Sequence, residues 1–378
     1  GAMLILIVVL LTISHMVQYR NTQRLERELA GAQKNISEVA DREKGVSARY
    51  AQLQTEFQLV QSRLSAAEEN LAQLKEEKEA EVGQLLEETE KLGVEVLLDA
   101  AVYGIYEDRL IAFITDGKDH TLKAEKIVMA TGASENALAF PGCTLPGVMG
   151  AGAAQTMINV NRVLPGQKIV IVGSGNVGLI VSYQLMQAGG DVVALIEAAP
   201  KIGGYGVHAS KIRRAGVPIY LSTTIKEVAG KEKVEEVITV ELDEKWQQVK
   251  GTEKQFDADT VCLAVGLSPL TELAWMAGCE FTFIPALGGH VLIHDKNMET
   301  TLKGIYVAGD ITGVEEASSA MEEGRLAGVA CAESLGYYDE KQALELKNQI
   351  WDRLDALRTG PFGEGRFTAK LKQISARR

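Results

Sequence analysis

The chain has 378 residues, 46% of them hydrophobic and 24% charged, with a net charge of −12. That length accommodates two or three domains with a sizeable core, and the acidic balance argues against a nucleic-acid partner. Cys143, Cys262, Cys279 and Cys331 are scattered without a Cys-x-x-Cys pair, which excludes a dithiol redox centre of that form and leaves no disulfide framework or metal cluster to expect.

Gly1-Ala2-Met3 reads as a cloning remnant, with the natural start near Met3. Residues 3–17 are almost wholly apolar but cover only about 22 Å as a helix, short of a hydrocarbon core of roughly 30 Å. Arg20, Arg24 and Arg27 follow the segment and no basic residue precedes it, the reverse of a secretory signal. Two readings of residues 1–19 stand. One is a short anchor that tethers a cytoplasmic protein to the inner face of the membrane; the other is an apolar helix packed against protein.

From Leu25 the apolar positions alternate in steps of four and three. Leu25, Leu29, Ala32, Ile36 and Val39 begin a seam that Leu64, Ala67, Leu71 and Leu74 continue, with Glu43 and Lys78 as its weak points. A register held over about seven heptads predicts an α-helical coiled coil across residues 20–81, and with it self-association.

An α/β pattern follows. Residues 82–92 read as a helix closed by Gly93, and 94–98 as a strand. Residues 101–114 and 120–124 read as antiparallel strands around Asp116-Gly117, and 126–130 as a buried strand entering Thr131-Gly132. A Gly/Ala-rich stretch from Gly147 leads into a helix reaching Val163. Further on, strands are expected at 219–221, 260–265 (ending at Gly266), 290–294 and 305–308, the last running into Gly309-Asp310. Residues 234–242 and 255–258 suggest a meander. Helices are expected at 317–335 and 341–357, and a loose basic tail from Pro361.

Residues 168–197 carry the clearest chemistry. An apolar run enters Gly173-Ser174-Gly175-Asn176-Val177-Gly178, a helix follows to Ala188, and a second strand ends on Glu197, 24 residues after Gly173. The three glycines serve a tight turn, close backbone approach to a pyrophosphate and close helix–strand contact. The helix N-terminus offers free N–H groups and a positive dipole end to phosphates. An acid at Glu197 accepts bonds from a ribose diol and repels a 2′-phosphate, so NAD is expected over NADP. Lys201 is near enough in sequence to serve a phosphate, or is a solvated loop lysine. His208, His290 and His294 are available, but no acid–base or nucleophile constellation assigns a catalytic residue.

Three further pieces, 127–133 (IVMATGA), 263–269 (LAVGLSP) and 304–313 (GIYVAGDITG), flank this unit in a recognisable order. Together they resemble the pyridine nucleotide–disulfide oxidoreductase superfamily, flavoproteins with two dinucleotide-binding domains. Residues 139–155 (AFPGCTLPGVMGAGAAQ) are similar to the FAD/NAD-binding α subunits of sarcosine oxidase, of proline and hydroxyproline dehydrogenases, of opine oxidases and of hydrogen cyanide synthase. The resemblance implies a Rossmann-like NAD domain (151–266) inserted in an FAD-binding domain (82–150 and 267–340), with a helix and basic tail after it (341–378). It gives Gly173, Gly175, Gly178 and Glu197 to NAD and makes Thr131, Gly132 and Gly266 the crossings between domains. It gives Gly309-Asp310 to a flavin ribityl chain. It also implies a subunit moving hydride or electrons between nicotinamide and flavin, alongside dehydrogenase or oxidase partner subunits.

One departure is large. No second G-x-G-x-x-G precedes Gly173, so the first two strands of an FAD sheet ordered 3-2-1-4-5 are missing and the remaining strands should have unpaired edges. FAD binding by this chain alone is therefore not expected. Another chain completes the half-domain, the flavin function is lost, or the sequence is a fusion. The alternative function is a membrane-anchored coiled-coil scaffold with a non-catalytic NAD domain.

Overall fold

The computed structural model of the chain describes residues 87–360 and 363–377, together with Gln58. The expected apolar segment lies outside the described residues, as does the expected coiled coil apart from Gln58. Two compact units divide the chain, Gly1–Leu98 and Asp99–Arg378. In the first, residues 87–91 are helical and Gly93 closes them at φ +68°, its N–H donating to the Glu90 carbonyl at 2.9 Å. The strand expected at 94–98 does not form: among the described residues the segment has no ladder partner, and Val94, Val96, Leu97 and Leu98 are exposed. An apolar run becomes a strand only where a neighbour takes its backbone groups. Among the described residues no helix is long and apolar enough to cross a membrane.

The second unit begins with an antiparallel sheet of β1 (Ala101–Tyr106), β2 (Leu110–Thr115) and β3 (Lys118–Lys123). The long strand expected at 101–114 is two strands, because Asp108 and Arg109 adopt left-handed conformations (φ 58° and 59°) between them. Asp116-Gly117 makes the expected turn, with positive φ at both residues as a tight two-residue hairpin turn requires.

The largest sheet is parallel throughout, in the order β6 (Val148–Gly150), β13 (Thr260–Leu263), β7 (Lys168–Val172), β8 (Asp191–Ile196), β9 (Ile219–Tyr220). After β6 come α1 (Ala151–Thr156) and one wide turn of π-helix, 157–161, which Arg162 stops at φ 59°. A three-stranded antiparallel meander, β10 (Thr223–Ala229), β11 (Glu236–Glu241) and β12 (Lys254–Asp257), covers one face. Ile225, Val228 and Val237 pack there against Val170, Ala194, Ile196 and Val261. β10 was not among the expected strands. Its polar residues conceal an inward Thr223, Ile225, Val228 row interrupted by a bulge between Ile225 and Glu227.

The antiparallel pair β5 (Ala133–Glu135) and β14 (Leu267–Pro269) carries the chain to and from this region. Beyond it lies a two-stranded parallel sheet, β4 (Ile127–Met129) beside β17 (Ile305–Val307). Ile127, Met129, Ile305 and Val307 form one core with Ile105, Leu292, Ile311 and Ala274 of α4 (Glu272–Ala277). Tyr306 and Ala308 face the opposite way, toward α5 (Ala317–Ser334) and α6 (Glu340–Arg358). No further described strand joins β4, and Val128 at its centre is exposed. A hairpin of β15 (Phe281–Ile284) and β16 (Gly289–Leu292) packs nearby.

The tail is not loose. Residues Glu364–Ser375 form a helix, α7, that buries Ala369, Lys370 and Gln373. Lys370 donates to the Thr312 carbonyl (3.1 Å), to Thr312 Oγ1 and to Glu323 Oε1 (2.9 Å). A basic composition concealed one lysine with a buried acid to meet.

Candidate nucleotide-binding site

Strand β7 lies between β13 and β8 with Ile169–Val172 buried, so the chain leaves the middle of the sheet at Gly173. The Gly173 N–H donates to the Ile196 carbonyl at 2.8 Å, and its φ is +104°. A Cβ there would stand 2.3 Å from the Ala264 carbonyl oxygen, and one on Gly178 would stand 2.0 Å from the Gly173 carbonyl oxygen. Both glycines are therefore fixed by close approach, of strand β13's exit in one case and of the helix to its own turn in the other. Gly175 is different: it precedes α2 (Asn176–Gln187) with no side-chain cap, and a Cβ would meet nothing within 4 Å. The open side of the turn leaves the N–H groups of the helix start without a side-chain cap, the arrangement that suits an anion.

Glu197 ends β8 beside this turn. Its Oε2 accepts from the Ser174 N–H (2.8 Å) and the Ser174 hydroxyl (2.6 Å), and its Oε1 from the Ala199 N–H (2.8 Å). A carboxylate has about four lone-pair positions, so one is left for a further donor. Residues 198–205 then fold back onto the turn. The Gly203 N–H donates to Ser174 Oγ (3.0 Å), the Gly204 N–H to the Ser174 carbonyl (2.8 Å) and the Tyr205 N–H to Asn176 Oδ1 (2.9 Å). A Cβ on Gly204 would lie 2.9 Å from the Asn176 nitrogen, so this loop sits as close as it does because Gly204 has none. Sequence reasoning singled out Ser174 and Asn176 but missed their partners. The Gly203-Gly204 pair after the acid was the available signal.

The remaining expected residues fall into two other groups. Thr131 Oγ1 donates to the Leu270 carbonyl (2.6 Å), the Leu270 N–H to the Gly132 carbonyl (2.9 Å) and the Asn136 N–H to the Gly266 carbonyl (3.0 Å). Thr131, Gly132 and Gly266 thus meet at the β5–β14 crossing, with Gly132 and Gly266 at φ +79° and +107°. Gly309 and Asp310 follow β17, and the Gly309 N–H donates to Glu323 Oε2 at 3.0 Å. Burial raises the Asp310 carboxyl above the ordinary aspartate range, and the bond it accepts from the Glu315 N–H is long at 3.4 Å. Acceptor capacity is left for a hydroxyl.

Behind this turn is a set of buried charges that the sequence did not reveal. Glu323 accepts from Lys370 and from Arg358 (2.6 Å), and Arg358 also holds Glu315 at 2.6 Å. Burial alone would raise the Glu323 carboxyl, but Lys370 and Arg358 outweigh it and bring the pKa down to about 2. His294 is buried beside them. Its desolvation, with Lys370 adding to it, lowers the imidazole to about 4, so the ring is neutral and Nδ1 bonds the Asp295 carbonyl (2.8 Å). Burial pushes the Cys262 thiol up to about 12 and Cys331 to about 11, which leaves both thiols inert at neutral pH.

Residues 31–324 match the family described as Pyridine nucleotide-disulphide oxidoreductase. An opine oxidase subunit of Agrobacterium tumefaciens is 29% identical over 228 residues, 58% of this chain and 45% of that protein. Hydrogen cyanide synthase subunit HcnB of Pseudomonas aeruginosa is 26% identical over 294 residues, 73% of this chain and 63% of that protein. The chain thus spans about half to two thirds of the length of these curated relatives. Among solved structures, T. acidophilum thioredoxin reductase aligns with a TM-score of 0.54 at 21% identity, covering 68% of this chain and 80% of that one, a likeness of fold. With the match extending over more than half of its length, the chain belongs to the pyridine nucleotide-disulphide oxidoreductase family.

Proposed function

We propose that the chain is an NAD-dependent oxidoreductase subunit, moving hydride or electrons between a nicotinamide and a flavin within an amine- or amino-acid-dehydrogenase type of complex. The observation that carries the nicotinamide half is the glycine turn itself. Gly175 faces open space at the start of α2, while Glu197 stands at the end of β8 with acceptor capacity remaining. Those residues fit a dinucleotide: the α2 N-terminus takes the pyrophosphate, Glu197 the ribose diol, and a 2′-phosphate is repelled. Bound NADH supplies the hydride; the chain binds and orients it.

The flavin half fits less well. Asp310 has room for a hydroxyl, but no second glycine-rich turn stands beside β4 among the described residues. A flavin would need strands beside β4 that the described residues do not supply. The relatives' names support the subunit reading, since HcnB and the opine oxidase relative are both parts of larger enzymes. In this reading residues 151–266 form the nicotinamide domain, and residues 82–150 with 267–340 the incomplete partner of it.

The alternative is a membrane-anchored coiled-coil scaffold whose NAD domain senses the nucleotide without turnover; the two-stranded β4–β17 sheet supports only its lack of a flavin step. Mass and absorption spectra of the purified protein identify its cofactors, and dye-coupled NADH oxidation by wild type and Gly175→Asp separates the readings. Turnover lost in the variant supports the oxidoreductase. NADH binding without turnover in wild type supports the sensor.

A further inference from the structure

Tyr205 ends the loop that lies on the glycine turn, and its phenol leaves that loop for another helix. The hydroxyl donates to Glu316 Oε1 at 3.2 Å. Glu316 is the N-cap residue of α5, yet its side chain makes no capping bond to its own helix. It is spent on Tyr205, with Arg366 of α7 more distant at 3.8 Å. Hydrogen bonds therefore run from Glu197 through Ser174 to Gly203 and Gly204, the backbone carries on to Tyr205, and its hydroxyl reaches the start of α5. Helix α5 is the one whose Glu323 holds the Gly309 N–H.

The geometry points to Tyr205 and Glu316 as positioning residues that couple occupancy of the nucleotide turn to the start of α5, and so to the Gly309–Asp310 turn. This rests on the reading of Glu197 as a ribose acceptor. A ribose diol donating to the position left on Glu197 Oε1 pulls on the same carboxylate whose Oε2 holds the Ser174 N–H and hydroxyl, and Ser174 in turn seats Gly203 and Gly204. The contact that would switch is Tyr205–Glu316, closed as seen; opening would pass Glu316 Oε1 from Tyr205 to Arg366, which stands 3.8 Å from the same oxygen. A cleft of about 200 Å³ borders the contact. Coupling of this kind is reciprocal, so whatever fixes α5 also tunes nucleotide affinity.

The test is amide hydrogen exchange on the full chain with and without saturating NADH, alongside NADH affinity from nicotinamide fluorescence. In wild type, NADH should change exchange at residues 315–320 by about three-fold or more, the scale of a local opening equilibrium shifted by one hydrogen bond. Tyr205→Phe should bind NADH no more weakly than wild type, and more tightly by about the same three-fold factor, and it should abolish that response, as should Glu316→Ala. Glu316→Gln keeps an acceptor oxygen and should retain it. The coupling is overturned if bound NADH leaves exchange at 315–320 unchanged in wild type, if Tyr205→Phe still responds, or if Glu316→Gln does not. It is overturned also if Tyr205→Phe loses NADH binding in proportion, which would make the tyrosine a seat for the loop and no more. If wild type binds no NADH at millimolar concentration, the reading of the site itself fails.

Discussion

Two glycine turns of this chain follow parallel strands and precede helices, and they are supported in opposite ways. The turn after β7 rises from the centre of a five-stranded sheet whose inner face is closed by an apolar meander. The turn after β17 rises from a sheet of two strands, and its support is ionic: Glu323 under Gly309 and Thr312, with Lys370 and Arg358 under Glu323. An apolar sheet holds a turn without depending on any one residue. A buried charge cluster fails as a unit, because each ion removed leaves another uncompensated. The ordering of the second turn thus depends on a C-terminal helix some sixty residues away in sequence (Lys370 to Thr312, 58 positions).

The sharpest break in that comparison is Lys370→Met. It should cost about 3–5 kcal/mol in urea unfolding, the range for breaking one partner of a buried pair. Arg366→Met, which removes only the half-exposed 3.8 Å pair with Glu316, should stay within about 1 kcal/mol. Equal effects would mean that the cluster is not what holds the second turn.

Acid should act on the same cluster in two stages. The folded pKa of His294 is lowered from 6.5 to about 4, so the unfolded chain takes the proton first, and stability is lost as pH falls from 6.5 toward 4. The folded pKa of Glu323 is depressed from 4.5 to about 2, so its contribution is complete above 4.5 and is lost as pH falls toward 2. Each stage withdraws on the order of 3 kcal/mol. Chemical denaturation across this range, repeated on His294→Gln, should show the first stage flattened in the variant; an unchanged slope would remove His294 from the account.

On the other turn a change at the open glycine should cost binding, and one at a close-approach glycine should cost folding as well. Gly175→Asp places a carboxylate in open space at the α2 N-terminus, so thermal unfolding should barely move. NADH affinity should fall about a hundred-fold, the scale of a misplaced charge at a phosphate site. Gly178→Ala, whose Cβ would strike the Gly173 carbonyl, should instead lower stability and binding together. The smallest effect belongs to Glu197→Gln. The amide keeps one acceptor oxygen for Ser174 and loses the repulsion of a 2′-phosphate, so the preference for NADH over NADPH should narrow by about ten-fold in paired titrations.

Much of the first turn was legible before any coordinates. An apolar run, three glycines at fixed spacing, a largely apolar helix and a terminal acid are all local, and each constrains its own stretch of backbone. The parallel pairing of β7, β8 and β13 follows because fully apolar strands must be covered on both faces. The missed elements share a cause. β10 has a bulge that breaks its alternation, the strand expected at 94–98 has no neighbour to pair with, and α7 looked like a tail because its buried lysine reads as a solvated one.

The sequence by itself determined the strand–turn–helix unit at 168–197, since steric fit of glycines and hydrophobic period act between near neighbours. Its tertiary structure decided which groups that unit meets: Ser174 on Glu197, Tyr205 on Glu316, and Lys370 under the turn at Gly309. Such contacts join residues 23 to 111 positions apart, and their strength comes from desolvation and geometry that only the packed chain creates.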